Sequence, residues 1–447
     1  MAASFDFKMD FSRYHRVVRE MPPPAPEGRV VQVVGLIAEA EGMGQGIGSF
    51  CRIVLDDGRD VLAEVVGFRK TNTLLMPYGS TRGIRPGSRV IVEASRPLAP
   101  VGEAYLGRVI DGMGEPLDGL GPVQADASYP LYGKPINPLD RDPVKIPMDV
   151  GICAINTMIP LGRGQRVAIM AGSGVGKSVL MGMMTRHTAA DVVVIGLIGE
   201  RGREVKDFVE DILGEEGRKK SVVIAATSDV PPLVRMRGAY LATTMAEYFR
   251  DQGKDVLLLV DSLTRYAMSS RDVGLAAGEP PTTRGYTPSF FVQVPILLER
   301  AGTVKGKGSI TGIYTVLVEG DDLNDPVGDT VRSIVDGHIV LSRQIASRGH
   351  YPAIDVLASV SRVTRDVSRP ENLALRDQAV RILATYREAE DMIQIGAYVD
   401  GSSPAIDLAK KMAPKIQAFL RQRVDLRVTS EEGFSTLAGI LSGDKNP

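Results

Sequence analysis

Near the start of the chain the apolar positions Phe7, Phe11, Tyr14, Val18 and Met21 recur every three or four residues, with Lys8, Arg13, Arg16 and Arg19 among the residues between them. That spacing predicts one amphipathic helical stripe. Pro22, Pro23 and Pro24 then end any helix and form a stiff linker. From Gly28 to about Arg96 the pattern changes to short β-branched runs broken by glycine and Asp-Asp-Gly turns. Val30–Ile37, Cys51–Leu55, Val61–Val66 and Arg89–Glu93 read as strands of a small barrel. Between about Pro97 and Asp366 strands alternate with helices. Gln165–Met170, Asp191–Ile198, Ser221–Ala226 and Asp255–Asp261 are the predicted strands, with helices near Val179–Thr188, Val205–Leu213 and Leu233–Arg250. After Arg369-Pro370 the period is helical again, with Leu375, Ala379, Ile382, Tyr386, Ala389 and Ile393 in one stripe. Thr429 with Glu432 fits a capping box. The chain is therefore expected to be α/β. A segment over 1–27 precedes a small β-barrel over 28–96, a mainly parallel sheet covered on both faces by helices over 97–366, and a helical part over 367–447.

Composition narrows the function classes. A chain of 447 residues suggests two or three domains. A formal net charge of −1 provides no general basic field for nucleic acid. Within 28–95 eight basic residues face seven acidic ones and no row of aromatics offers base stacking, so nucleic acid is not an expected partner. Cys51 and Cys153 are too few for a disulfide framework and lack metal-ligand spacing, which fits a reducing compartment. The N-terminus lacks the pattern of a secretory signal, and apolar runs such as Val192–Leu197 and Val256–Val260 are too short to cross a bilayer. A soluble cytoplasmic protein is expected. The four histidines, His15, His187, His338 and His350, are scattered, and none is assigned a role.

The strongest chemical signal is Ala171-Gly172-Ser173-Gly174-Val175-Gly176-Lys177-Ser178, placed after a predicted strand and opening a predicted helix that runs on through Val179. Glycines let the backbone curl so that its N–H groups face phosphate oxygens, and the helix N-terminus adds partial positive charge. Lys177 is expected to pair with the β- and γ-phosphates of ATP and Ser178 to hold Mg2+. Position 171 is Ala where the strict motif has Gly. The competing reading of this stretch is a tight strand–helix turn that binds nothing. Asp261, ending the apolar strand 257–261, lies 84 residues beyond Lys177 and is the second expected Mg2+ partner, although many strands end in Asp only as a turn signal. Glu200, in Gly199-Glu200-Arg201-Gly202-Arg203-Glu204, follows the next strand in the chain. It is expected to activate the attacking water from the strand adjacent to the phosphate loop. Arg201 and Arg265 are candidates for the charge on the γ-phosphate, and equally for surface ion pairs.

Taken together, residues 171–178, Gly-Glu-Arg-Gly-Arg-Glu at 199–204 and Asp-Ser-Leu-Thr-Arg-Tyr-Ala at 261–267 resemble the rotary-type ATPases. Gly-Glu-Pro-Pro-Thr-Thr-Arg-Gly-Tyr at 278–286, Val-Glu-Gly-Asp-Asp at 318–322 and His-Tyr-Pro-Ala-Ile-Asp at 350–355 narrow the resemblance to the type III secretion ATPases, the flagellar export branch being favoured. The likeness runs from residue 28 onward. It implies a barrel, a RecA-like ATPase domain and a helical C-terminal domain, in subunits that form a homohexamer with nucleotide at each interface. It implies that Arg362 is an arginine finger reaching the neighbouring site, that Tyr351 stacks on adenine, and that Phe419 closes the adenine pocket, with Val424 where related ATP synthase subunits have a second aromatic. Tyr351 also reads simply as a core aromatic. The implied partners are a stator-like regulatory protein at the N-terminal segment, a central stalk protein, the membrane proteins of the export apparatus, and chaperone–cargo complexes. The implied location is cytoplasmic, peripheral at the inner membrane export apparatus. An injectisome ATPase, an ATP synthase catalytic subunit, an RNA translocase of the terminator type and an inactive nucleotide-binding scaffold are the competing readings.

Overall fold

A computed structural model of the chain describes residues 11–20, 27–94, 97–318 and 325–442. They fall into two compact units, Met1–Arg96 and Pro97–Pro447. In the first, helix Ser12–Glu20 carries Tyr14 and Val18 exposed to solvent. Phe7, Met21 and the prolines at 22–24 lie outside the described residues. Six strands close a barrel in the order Glu27–Val34, Ile37–Glu41, Asn72–Pro77, Asp60–Arg69, Phe50–Val54, Arg89–Ala94. Val30, Ala38, Cys51, Ile53, Val65, Leu75 and Val90 fill its interior. The run Val30–Ile37, expected as one strand, is two. The chain reverses at Gly35, with φ +57°, and Val34 pairs with Ile37. Asn72–Pro77 escapes a search for alternation because five of its six residues are buried.

The second unit is built on a sheet whose strand order is Val360–Ser361, Gly337–Leu341, Arg166–Ala171, Ser309–Leu317, Asp255–Asp261, Val192–Ile198, Ser221–Ala226, Val109–Asp111. Neighbours in this order run parallel except Val360–Ser361, which is antiparallel to Gly337–Leu341; off the order, the short strand Gly302–Thr303 pairs antiparallel with Ser309–Leu317. Strands such as Val192–Ile198 and Ser221–Ala226 are buried along their whole length, which is why they read as unbroken apolar runs. On one face helices Pro232–Asp251, Leu263–Ala277 and Pro288–Leu298 cover the sheet. On the other, helix Lys177–His187 packs in one continuous apolar core with the C-terminal helices Pro370–Gln394, Pro404–Leu420 and Ser430–Ser442, through Leu180, Met184, Ala379, Ile382, Met412, Ile416 and Leu437. The capping box is present: Glu432 Oε2 accepts from Thr429 N at 2.8 Å, and Thr429 Oγ1 accepts from Glu432 N at 3.3 Å. Among the described residues, no helix is long and apolar enough to cross a membrane.

Candidate active site

Strand Arg166–Ala171 delivers the loop 172–176 to the C-terminal edge of the sheet, and helix Lys177–His187 starts immediately after it. Gly174 and Gly176 have φ of +79° and +89°, a left-handed backbone that disfavours side chains, so the chain turns within five residues. The first helical amides, of Lys177, Ser178 and Val179, have no carbonyl a turn back to bond, which leaves them for an anion. Ala171 is the buried last residue of the strand, paired with Leu317 on one side and Leu341 on the other. Its methyl group therefore belongs to the core and leaves the loop free to curl.

A cavity of 710 Å³ opens over this loop, lined by residues from Gly172 to Val179 and by Glu200, Arg201, Arg265 and Arg343. Val175 is buried behind it, 2% exposed. Lys177 Nζ donates to Asp261 Oδ1 and stands 3.6 Å from Glu200 Oε1. Asp261 also accepts from Thr315 Oγ1 at 2.6 Å. Thr315 sits on Ser309–Leu317, which separates the phosphate-loop strand from Asp255–Asp261. Glu200 thus does not come from the strand adjacent to the phosphate loop, since two strands, Ser309–Leu317 and Asp255–Asp261, stand between. It reaches Lys177 because all these strands end at one level, where the loops converge.

Among the described residues, Glu200 Oε1 is buried without a hydrogen bond. Burial pushes the carboxyl up to about 7, with Lys177 opposing the shift and Asp261 adding to it. A carboxyl poised near neutrality in the wall of the cavity over the phosphate loop suits proton transfer from water.

The arginines separate. Arg265 is fixed by its helix N-terminus, where its amide donates to Ser262 Oγ at 3.3 Å, and its Nε is buried without a hydrogen-bond partner among the described residues. Arg201 is largely exposed and pairs with Glu204 at 3.6 Å. Arg343, exposed at the start of helix Arg343–Ser347, joins the cavity from the far side, although no motif marks it in the sequence. Arg362 is not brought to this cavity. It follows the edge strand Val360–Ser361, whose Ser361 pairs with Gly337 at the start of Gly337–Leu341, and its amide donates to Asp336 O at 2.9 Å. Asp336 in turn binds Arg166, the first residue of the phosphate-loop strand. Arg362 and Lys177 therefore sit at opposite ends of that strand, about 20 Å apart at some 3.3 Å per residue.

Tyr351 precedes a cis proline, is 47% exposed, and borders a separate apolar cavity of 550 Å³ beside the loop, with Gly176, Val179, Pro352, Gln422 and Val424. Its size and apolar walls fit a purine base. Phe419 is not among the residues lining it. Its carbonyl accepts from Cys153 Sγ at 3.5 Å, and its side chain packs against the C-terminal helices' core. The chain from Gln422 to Asp425 closes the cavity instead. Gln422 holds that segment in place: its amide nitrogen donates to Gly151 O and Leu426 O, and its backbone N–H donates to Tyr351 O at 3.0 Å.

Among the described residues, no three His, Cys, Asp or Glu side chains cluster as a protein-only metal site. The hydroxyl of Ser178 and the carboxylate of Asp261 are hard oxygen donors of the kind Mg2+ takes when phosphate oxygens and water supply the remainder. The residues present fit that ion.

Comparison with known proteins agrees with this arrangement. Residues 30–92 match the ATP synthase alpha/beta family beta-barrel domain, residues 151–361 the nucleotide-binding domain of the same family, and residues 368–439 the T3SS EscN ATPase C-terminal domain. The flagellum-specific ATP synthase of Pseudomonas aeruginosa is 50% identical over 96% of each chain. The type 3 secretion system ATPase of Xanthomonas euvesicatoria is 46% identical over 92% of this chain and 93% of its own. The structure of the assembled ATPase EscN from the enteropathogenic E. coli type III secretion system superposes with a TM-score of 0.88 at 43% identity, over 93% of this chain and all of that one. EscN has also been solved in complex with its central stalk EscO, with a TM-score of 0.86 at 42% identity over the same shares. The chain is a P-loop ATPase and belongs to the family of type III secretion and flagellar ATPases.

Proposed function

We propose that this chain hydrolyses ATP to ADP and phosphate in a homohexameric ring that energises flagellar protein export. The observation that carries the chemistry is the buried, unbonded oxygen of Glu200 beside Lys177 and Asp261 over the phosphate loop. In this reading the loop amides and Lys177 grip the β- and γ-phosphates. Ser178 and Asp261 would hold Mg2+, which offsets phosphate charge. Glu200 takes the proton of a water as its oxygen bonds to the γ-phosphorus and the bond to the β-phosphate oxygen breaks. Arg265, in the wall of the cavity, would steady charge on the γ-phosphate, and Arg201 stands at the rim. Tyr351 stacks on adenine; Phe419 acts only through the helix it packs on.

Arg362 is exposed and lies outside the cavity of its own subunit, so in this reading it serves a neighbour as an arginine finger. Because each chain supplies both Glu200 and Arg362, every interface of a ring of identical subunits is competent. Fingers supplied in trans are worth ~10³–10⁵ in rate. ATPase activity per subunit is therefore expected to rise steeply with protein concentration as rings form. Constant activity per subunit, with light scattering that reports a monomer, rules out the shared site.

Support for the flagellar assignment over the injectisome comes from four relatives flagellum-specific in name at 50%, 49%, 49% and 47% identity; three others so named, at 44–45%, fall below the 46% of the type 3 secretion system ATPase of Xanthomonas euvesicatoria. Motility of a knockout strain is the test. By analogy with EscN and EscO, a central stalk protein threads the ring. The location is cytoplasmic, at the export apparatus of the inner membrane, with its membrane proteins and chaperone–cargo complexes as partners. The exposed apolar side chains Phe11, Tyr14, Val17 and Val18 suit a stator-like regulator. Deleting residues 1–21 is expected to spare hydrolysis by assembled rings and to abolish regulator binding in a pull-down. Retained binding would move the regulator's site elsewhere.

A further inference from the structure

Arg362 is exposed, and among the described residues its guanidinium has no hydrogen bond or ion pair within the chain. Of the groups around its backbone, Gln165 and Ser361 are buried and Asp336 is half-buried. Gln165 is fully buried and sits one residue before the phosphate-loop strand. Its side-chain nitrogen donates to Asp336 O and to Ser361 Oγ, each at 3.1 Å. Its side-chain oxygen accepts from Gly162 N at 2.9 Å. Asp336 O is the same carbonyl that accepts from the Arg362 amide. Ser361 Oγ donates onward to Pro160 O at 2.7 Å. The Asp336 carboxylate is clasped by Arg166, from its amide at 3.1 Å and from Nε at 3.1 Å. At Gly337 an added Cβ would meet Val360 O at 2.5 Å and Gln165 Nε2 at 3.3 Å, so only glycine lets the two strands close on this glutamine.

The strand carrying the finger has two residues and two pairings, little to hold a long cationic side chain against a neighbouring molecule. Gln165 joins that short strand to the base of the strand whose other end forms the phosphate loop. Both polar atoms of its amide are hydrogen-bonded within the chain, Nε2 to Asp336 and Ser361 and Oε1 to Gly162.

We propose that Gln165, with Asp336 and Ser361, is a positioning mount that holds Arg362 in register for the γ-phosphate of the adjoining subunit. The proposal rests on the reading of Arg362 as a finger acting in trans. Displacing a catalytic group by 1 Å costs ~10²-fold in rate, so a loosened mount should be visible in turnover.

The test uses full-length chains mixed in equal amounts before rings assemble. One partner carries Glu200→Gln and the other Arg362→Ala, so only interfaces with the phosphate loop of the second and the finger of the first are intact. Gln165→Met, which keeps volume and removes the hydrogen bonds, is then added to one partner at a time. On the Glu200→Gln partner, which donates the finger, it should cut the recovered activity by about tenfold or more. On the Arg362→Ala partner, which donates the phosphate loop, it should leave activity within about twofold and binding of a fluorescent ATP analogue unchanged. Equal losses on both partners, a loss mainly on the phosphate-loop donor, or no loss on either overturns the mount. No recovery in the parent mixture, before Gln165 is touched, instead overturns the finger in trans. Should Gln165→Met chains fail to enter rings, Ser361→Ala in the same two placements is read by the same asymmetry.

Discussion

Glu200→Gln is expected to lower ATP turnover by about 10²–10⁴-fold while ATP binding survives. The side chain keeps its volume and reach, and the loop, Lys177 and Asp261 that grip the phosphates are untouched. The substitution removes a proton acceptor beside the attacking water. Steady-state turnover with equilibrium binding of a fluorescent nucleotide checks both halves, and a variant that binds poorly or turns over well removes Glu200 from the chemistry. The raised carboxyl adds a second signature. Glu200 accepts a proton only when ionised, so wild-type turnover should climb as pH passes about 7 and level off above it. The stability consequence has the opposite sign. A carboxyl raised from 4.5 to about 7 in the fold disfavours its charged form there, so the penalty is absent below 4.5 and complete above about 7. The Gln variant should therefore melt higher than wild type at pH 8, a gap that closes on acidification toward pH 4.5.

Arg362→Ala should be as damaging, at ~10³–10⁵-fold, yet for a reason visible only between subunits. Arg362 lies at the opposite end of the Arg166–Ala171 strand from its own Lys177, beyond the reach of an arginine side chain. Alone, the Ala variant should bind nucleotide normally and hardly turn over. Mixed with Glu200→Gln subunits before assembly, two nearly dead proteins should regain activity, because about one interface in four then combines an intact carboxylate with an intact finger. Failure to complement would mean that Arg362 acts within its own subunit or not at all.

The parts legible in the sequence are those encoded in consecutive residues. A glycine loop between an apolar strand and a helix is local, and residues 172–178 lie where the motif puts them. The same holds for the Thr429–Glu432 cap and for the strands Ser221–Ala226 and Asp255–Asp261. The features that escaped depend on pairing between distant segments. Local pattern does not reveal that Ser309–Leu317 inserts between the phosphate-loop strand and Asp255–Asp261, so the partnership of Thr315 with Asp261 has no local signal. Nor does it reveal that Gln422, just past the end of helix Pro404–Leu420, secures the wall of the purine-sized cavity while Phe419, three residues earlier, faces the core. The end of the helix between the two is enough to send them to different sides. Gln165 reads as an ordinary polar residue at the mouth of a strand until Asp336 and Ser361 are seen around it.

The helix after the phosphate loop shares one apolar core with the C-terminal helices, and the purine-sized cavity opens between its first turns and the segment Gln422–Asp425 that follows helix Pro404–Leu420. A displacement of those helices would therefore reach one wall of that cavity. Reciprocity then requires that whatever grips the C-terminal helices more firmly in one nucleotide state must alter the hold on nucleotide by the same factor.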